Sequence, residues 1–202
     1  SGEEFVLLPL AQDHKRIGEG ETGPNTGGMG AGGPFARTSA ALEQRICEQV
    51  LAPTLRALAQ DGREFRGLLF AGLMLSGDQT VVLEFNCRFG DPETQAILPL
   101  VEGGLASALV AAARGDRIPA VTVRPGSAAT VVLASQGYPG SYRTGFPIQG
   151  IDRAEELPGT TVFHAGTQRT GRGLVTAGGR VLAVTGTGDD LRQALGRAYE
   201  GV

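Results

Sequence analysis

Lysine is almost missing from this 202-residue chain: its eighteen basic side chains are seventeen arginines and one lysine, Lys15. A grip on nucleotide phosphates built from several lysines is therefore not available within it. Histidine is as scarce, and His14 and His164 cannot make a multi-histidine zinc centre. The two cysteines, Cys47 and Cys87, form no CxxC pair, so they are expected to be free thiols in a reducing, cytoplasmic setting. No apolar run approaches the roughly 20 residues that cross a bilayer. The longest, residues 67–75, is only a strand's length, and no membrane association is expected. The start, Ser1-Gly2-Glu3-Glu4, has neither the basic nor the apolar region of a signal peptide. A formal charge of −3 and a pI near 5.5 leave no broad basic surface, which excludes nucleic acid as a general partner. Neither a GxxxxGK[ST] loop nor a GxSxG elbow occurs, so P-loop and α/β-hydrolase chemistry are excluded too.

What is present describes a folded chain. Hydrophobic residues at 41% and charged residues at 19% suit a globular protein, long enough for one large domain or two small ones. Residues 4–8, EFVLL, read as a strand, and they begin so abruptly that the chain is expected to be cut from something longer. After Gln12-Asp13-His14-Lys15-Arg16, residues 18–33 read GEGETGPNTGGMGAGG, half of them glycine. That composition predicts a loop rather than a helix or a central strand. The loop contains GxGxxG at residues 28–33, but no strand is expected to lead into it and Pro34-Phe35 follows, so a dinucleotide fold is rejected. Its Asn25 and Thr26 sit where backbone N–H groups can wrap a phosphate; the plainer alternative is a flexible surface loop.

From Thr38 as N-cap, Leu42, Ile46, Val50, Leu51, Leu55 and Leu58 recur at helical spacing up to Gly62, with Pro53 expected to kink or divide the helix. Residues 66–75 and 80–85 predict two strands joined by a tight hairpin, Ser76-Gly77-Asp78-Gln79. Short helices are expected at residues 94–98 and 105–114. Residues 116–127, with Pro119, Pro125 and Gly126, mark the domain boundary. Beyond it, strands at 129–134, 161–164, 174–176 and 180–185 predict a small β-rich module closed by a helix over 190–199.

The second strand of the hairpin runs into EFNCRFGDPETQ, residues 84–95. Alternation along a strand puts Glu84 and Asn86 on one face. Carboxylate and amide oxygens are the hard ligands magnesium takes beside waters and phosphates. The alternative is a solvated strand end in which Arg88 pairs with Asp91. His164, in an apolar strand, reads as a hydrogen-bonded structural histidine and Cys47 as helix packing.

Taken in order, QDHKR at 12–16, TGPNTGGMGA at 22–31, AGLM at 71–74, EFNCRFGDPETQ at 84–95, GYPGSYRTG at 137–145 and VFHAGT at 162–167 closely resemble the phosphoribosylamine–glycine ligase family of the ATP-grasp superfamily. The resemblance covers nearly the whole chain. It implies an α+β fold: the C-terminal part of an ATP-grasp domain over residues 1–118, then a small β-rich C-terminal domain over 119–202. It also implies a cytoplasmic, ATP-dependent ligation of glycine to 5-phosphoribosylamine in purine biosynthesis, through glycyl phosphate. ATP and Mg2+ or Mn2+ are the implied cofactors, with Glu84 and Asn86 as metal ligands and Glu4 toward the ATP ribose. Arg88 is expected to stabilise the acyl phosphate or its oxyanion. Asp13, His14, Asn25, Thr26, Asp91, Glu93 and Thr94 are the expected substrate-binding residues, and the GPNTGGMG segment is expected to close over the substrates as a loop. Departures from the family bear on this. The family's N-terminal half, with its ATP-gripping lysines, does not lie within these residues and is the expected partner of this chain, and residues 66–75 carry no acid for a further metal ligand. The alternatives are an incomplete fragment that only binds nucleotide or a partner, and a ligase with another amine acceptor.

Overall fold

A computed structural model of the chain describes residues 1–77, 79–171 and 173–202. The strands are β1 (Gln12–Gly18), β2 (Thr22–Gly33), β3 (Phe70–Ser76), β4 (Gln79–Asn86), β5 (Val101–Gly103), β6 (Thr122–Val123), β7 (Ser127–Ala134), β8 (Thr160–His164), β9 (Thr167–Thr170), β10 (Gly173–Thr176) and β11 (Arg180–Gly188). The helices are α1 (Ala40–Ile46), α2 (Ala52–Gln60), α3 (Glu93–Ile97), α4 (Leu105–Arg114), α5 (Ile151–Glu155) and α6 (Leu191–Glu200). Among the described residues no helix is long and apolar enough to cross a membrane.

Two compact units are interleaved along the chain. The first is built from Ser1–Pro9, Ala36–Gly90 and Val101–Arg124, the second from Leu10–Phe35, Asp91–Leu100 and Pro125–Val202. The last crossing, Arg124 to Pro125, falls inside the proline-rich stretch read as a boundary, but the earlier crossings gave no such signal.

In the first unit, residues 4–8 form no ladder, contrary to the strand read there; Glu4 N–H instead turns back to Ser1 O at 3.0 Å. The helix read from Thr38 starts one residue later, because the Ser39 hydroxyl accepts from Leu42 N–H at 3.2 Å. Pro53 does divide it: Pro53 stands in the first turn of α2, and the turn before it, Cys47–Leu51, is a π-helix in which Ala52 N–H bonds Cys47 O. Leu42, Ile46, Val50, Leu51 and Leu55 are its buried stripe. The strand read from residue 66 begins at Phe70 and pairs antiparallel with β4. The register Ser76↔Gln79 leaves a two-residue connection opening on Gly77 at φ +56°, whereas Asp78 of the predicted turn lies outside the described residues. Helix α4 has the predicted bounds, framed by left-handed Gly104 and Gly115.

The second unit is organised by a five-stranded sheet in the order β1-β2-β7-β11-β8. The predicted β-rich module is thus not confined to the last third of the chain, for β7, β11 and β8 continue a sheet begun by β1 and β2. The glycine-rich segment read as a loop is β2, an interior strand hydrogen-bonded to β1 and β7. Glycine there answers close approach: a Cβ on Gly30 would lie 2.8 Å from Thr130 O. Gly28, at φ +115°, has the Pro92 ring where its Cβ would be. One side of the sheet carries α6, whose Ala194 and Ala198 are fully buried and which is capped by Asp190 Oδ1 accepting from Gln193 N–H at 2.8 Å. Val162, Val181, Leu182 and Val184 form a core with Ala154 of α5. Within the ladder, Thr185 donates to the Thr130 hydroxyl across paired, buried positions at 2.8 Å.

Candidate functional site

In the first unit the ladder Phe70↔Asn86, Ala71↔Phe85, Gly72↔Glu84 is regular, so Glu84 and Asn86 do share a face at the end of β4. Opposite Glu84 stands Gly72, where a Cβ would come within 3.0 Å of Glu84 Cγ; the missing side chain gives the carboxylate its room. Glu84 is exposed and Asn86 half-buried. Arg88 is exposed, its Nη1 donating to Phe89 O at 2.8 Å. Glu4 is exposed as well. Among the described residues no group of three His, Cys, Asp or Glu side chains could hold a metal, so an ion here would rest on the Glu84–Asn86 pair, waters and substrate oxygens.

The second unit gathers most of the other candidates around β1, β2 and the start of α3. Asp13 pairs with Lys15 at 3.7 Å, and His14 Nδ1 lies 3.2 Å from Glu21 Oε1. Thr26 donates to Lys15 O at 2.8 Å and accepts from Gly28 N–H at 3.0 Å, which fixes the residues beside the exposed Asn25. A segment held by this ladder and these bonds is a strand and not the loop expected from its composition. Glu93 is a buried acid in the first turn of α3, followed by half-buried Thr94. Burial pushes the Glu93 carboxyl above its ordinary range; its own backbone N–H opposes this next most strongly, and of the smaller charge effects those of Asp13 and Asp91 raise it while that of Lys15 lowers it. Asp13, Asp91 and Glu93 therefore share one electrostatic environment.

Asp91 is not paired with Arg88, as the strand-end alternative had it. Its Oδ2 accepts from Arg180 Nη2 at 3.0 Å and its Oδ1 from Gln95 Nε2 at 2.8 Å. Sequence reading missed Arg180, which stands 89 residues further along in a segment read only as a strand. It also missed Tyr138, whose hydroxyl accepts from Gly27 N–H at 3.1 Å. The paired glycines Gly178-Gly179 just before Arg180 were the available signal of a crowded backbone. His164 Nδ1 meets the Thr167 hydroxyl at 3.0 Å, the hydrogen-bonded role expected of it, although the residue is exposed. Cys47 and Cys87 are free thiols.

With this geometry in view, residues 1–94 match the family described as phosphoribosylglycinamide synthetase, ATP-grasp (A) domain. Residues 128–202 match the C domain of the same synthetase. The chain belongs to the phosphoribosylamine–glycine ligase family. It is 46% identical over 202 residues to the phosphoribosylamine–glycine ligase of Chlorobaculum tepidum, covering 100% of this chain and 48% of that one. The crystal structure of the Thermotoga maritima phosphoribosylamine–glycine ligase is similar with a TM-score of 0.83 at 38% identity, over 98% of this chain and 49% of that one. N5-carboxyaminoimidazole ribonucleotide synthetase of Thermus thermophilus shares the fold alone, with a TM-score of 0.60 at 17% identity over 99% and 46% of the two chains. The architecture is accordingly α+β, the C-terminal part of an ATP-grasp enzyme with its small β domain. The chain spans about half the length of these ligases.

Proposed function

We propose that the chain, together with the remaining half of the family's length, ligates glycine to 5-phosphoribosylamine at the expense of ATP. The products are glycinamide ribonucleotide, ADP and phosphate. Family membership combined with the Glu84–Asn86 pair on one face of β4 carries this reading. A glycine carboxylate oxygen takes the γ-phosphoryl group of ATP, and the amine nitrogen then attacks the acyl carbon, expelling phosphate. Such chemistry asks the protein mainly for position and charge neutralisation.

Glu84 and Asn86 would hold Mg2+ or Mn2+, and the space Gly72 leaves beside Glu84 fits that task. The ion, when bound, neutralises phosphate charge. Arg88 is assigned to the acyl phosphate and the oxyanion that forms as the amine attacks. Glu4 is assigned to the ATP ribose. Asp13, His14, Asn25, Thr26, Asp91, Glu93 and Thr94 are assigned to the substrates, with Asp91 and Glu93 facing ribose hydroxyls or the amine. Two free thiols suit a reducing cytoplasm.

Phosphate release from ATP tests the reading, measured on the full-length protein with each substrate omitted in turn. Release is expected only with both glycine and 5-phosphoribosylamine present; release indifferent to either overturns it. Glu84→Gln is expected to abolish metal-dependent turnover, and near-normal activity in that variant would remove the metal assignment.

A further inference from the structure

Arg180, the first residue of β11, makes an unusual set of contacts for a residue so far from the recognisable motifs. Its Nη1 donates to Asp91 O at 2.8 Å, to Gly27 O at 3.0 Å and, longer, to Gly28 O at 3.4 Å, while Nη2 donates to Asp91 Oδ2 at 3.0 Å. The Arg180 side chain is 21% exposed and that of Asp91 44% exposed, so a mostly covered cation holds a carboxylate that still faces solvent. Gln95 Nε2 donates to the other carboxylate oxygen at 2.8 Å. Tyr138 fixes Gly27 through its N–H, and Gly179 is bare beside the Tyr138 ring, where a Cβ would lie 2.5 Å from Cδ2. Side chains from the last third of the chain thus set the geometry of the Gly27-Gly28 backbone and of Asp91.

We infer that Arg180 is a positioning residue for the amine substrate: it touches no reactant but orients Asp91 and the Gly27-Gly28 backbone that receive it. This rests on the ligase reading above, which assigns Asp91 to ribose hydroxyls or the amine. A planar guanidinium can address Asp91 O, Asp91 Oδ2 and Gly27 O from fixed directions, whereas an ammonium is a point charge that keeps the ion pair without the fork. Each Asp91 oxygen has a second lone pair left for a ligand after Arg180 and Gln95 have taken one.

The test is steady-state kinetics on the full-length enzyme with Arg180→Met, Arg180→Lys and Asp91→Asn, beside calorimetric titration with glycinamide ribonucleotide. In Arg180→Met the KM for 5-phosphoribosylamine is expected to rise about ten- to a hundredfold, the range for losing a hydrogen bond to a charged group. The KM values for ATP and glycine should stay within about twofold, because only one substrate's contacts are disturbed. Arg180→Lys should lie between, product binding should weaken in parallel, and Asp91→Asn with Arg180→Met should cost less than the sum of the two, the part of Arg180→Met that persists beside Asp91→Asn being its hold on the Gly27-Gly28 backbone. Equal changes for all three substrates, or additive effects of the two substitutions, would reduce Arg180 to a structural tie. If Arg180→Met does not fold, Arg180→Lys and Tyr138→Phe carry the same comparison. A wild-type enzyme that releases no phosphate in response to both substrates overturns the ligase reading itself, an outcome visible before any variant is assayed.

Discussion

Strands β2 and β4 invert the usual relation between composition and place. β4 carries Val81, Val82, Leu83 and Phe85, yet all four are exposed, Leu83 at 58%, on a two-stranded hairpin. β2 is half glycine, yet it lies between two ladders, with Gly28, Ala31 and Gly33 buried. An apolar side chain stabilises only where something covers it, and the described hairpin covers little of these. A bare backbone stabilises where neighbouring backbone must come close, and β2 is surrounded by such neighbours. Strand strength here is a property of surroundings more than of residue type.

That contrast can be broken most forcefully at Gly30. Gly30→Val puts a branched side chain against Thr130 O, and denaturant unfolding is expected to show a loss of about 2 kcal/mol or more. A loss below about 0.5 kcal/mol would mean the ladder between β2 and β7 yields easily. Thr185→Val, in the strand beyond β7, removes the hydroxyl that donates to Thr130 while keeping shape, and about 1 kcal/mol is expected in the same assay.

The buried acid next to β2 gives a smaller, pH-dependent effect. Glu93 is harder to ionise in the folded chain, so the folded state holds more protons than the unfolded one between the ordinary carboxyl value of 4.5 and the raised one. Stability attributable to Glu93 therefore falls as pH rises through that window, and it is least impaired below 4.5. Glu93→Gln is expected to be more stable than wild type near neutrality, with the difference disappearing on acidification in urea melts; an advantage that persisted in acid would deny the cause. Smallest of all, Val81→Thr on β4 should change stability by no more than about 0.5 kcal/mol, because the position is exposed.

What the sequence made legible follows the range of the forces involved. Helices α4 and α6 are set by neighbours three and four residues away and by end residues such as Gly115 and Asp190, all visible in a short window. The shared face of Glu84 and Asn86 needs only strand alternation. β2 was misread because glycine is permissive in isolation, and the reasons for it, Thr130 and Pro92, are distant in sequence. Arg180 and the burial of Glu93 were hidden for the same cause. Thr38 and Ser39 are equivalent cap chemistry one residue apart, and only the path of the backbone chose Ser39.

The order β1-β2-β7-β11-β8 also governs what can be cut or exchanged. Ending the chain at Arg124 would remove β7 and leave the glycine strand with one open, sticky edge; residues 125–202 alone would expose the matching edge of β7. A segment whose borders look modular is therefore a poor unit for transplanting between relatives. A hybrid enzyme would have to inherit β1 and β2 from the same parent as its last seventy-odd residues, or mend the seam between them.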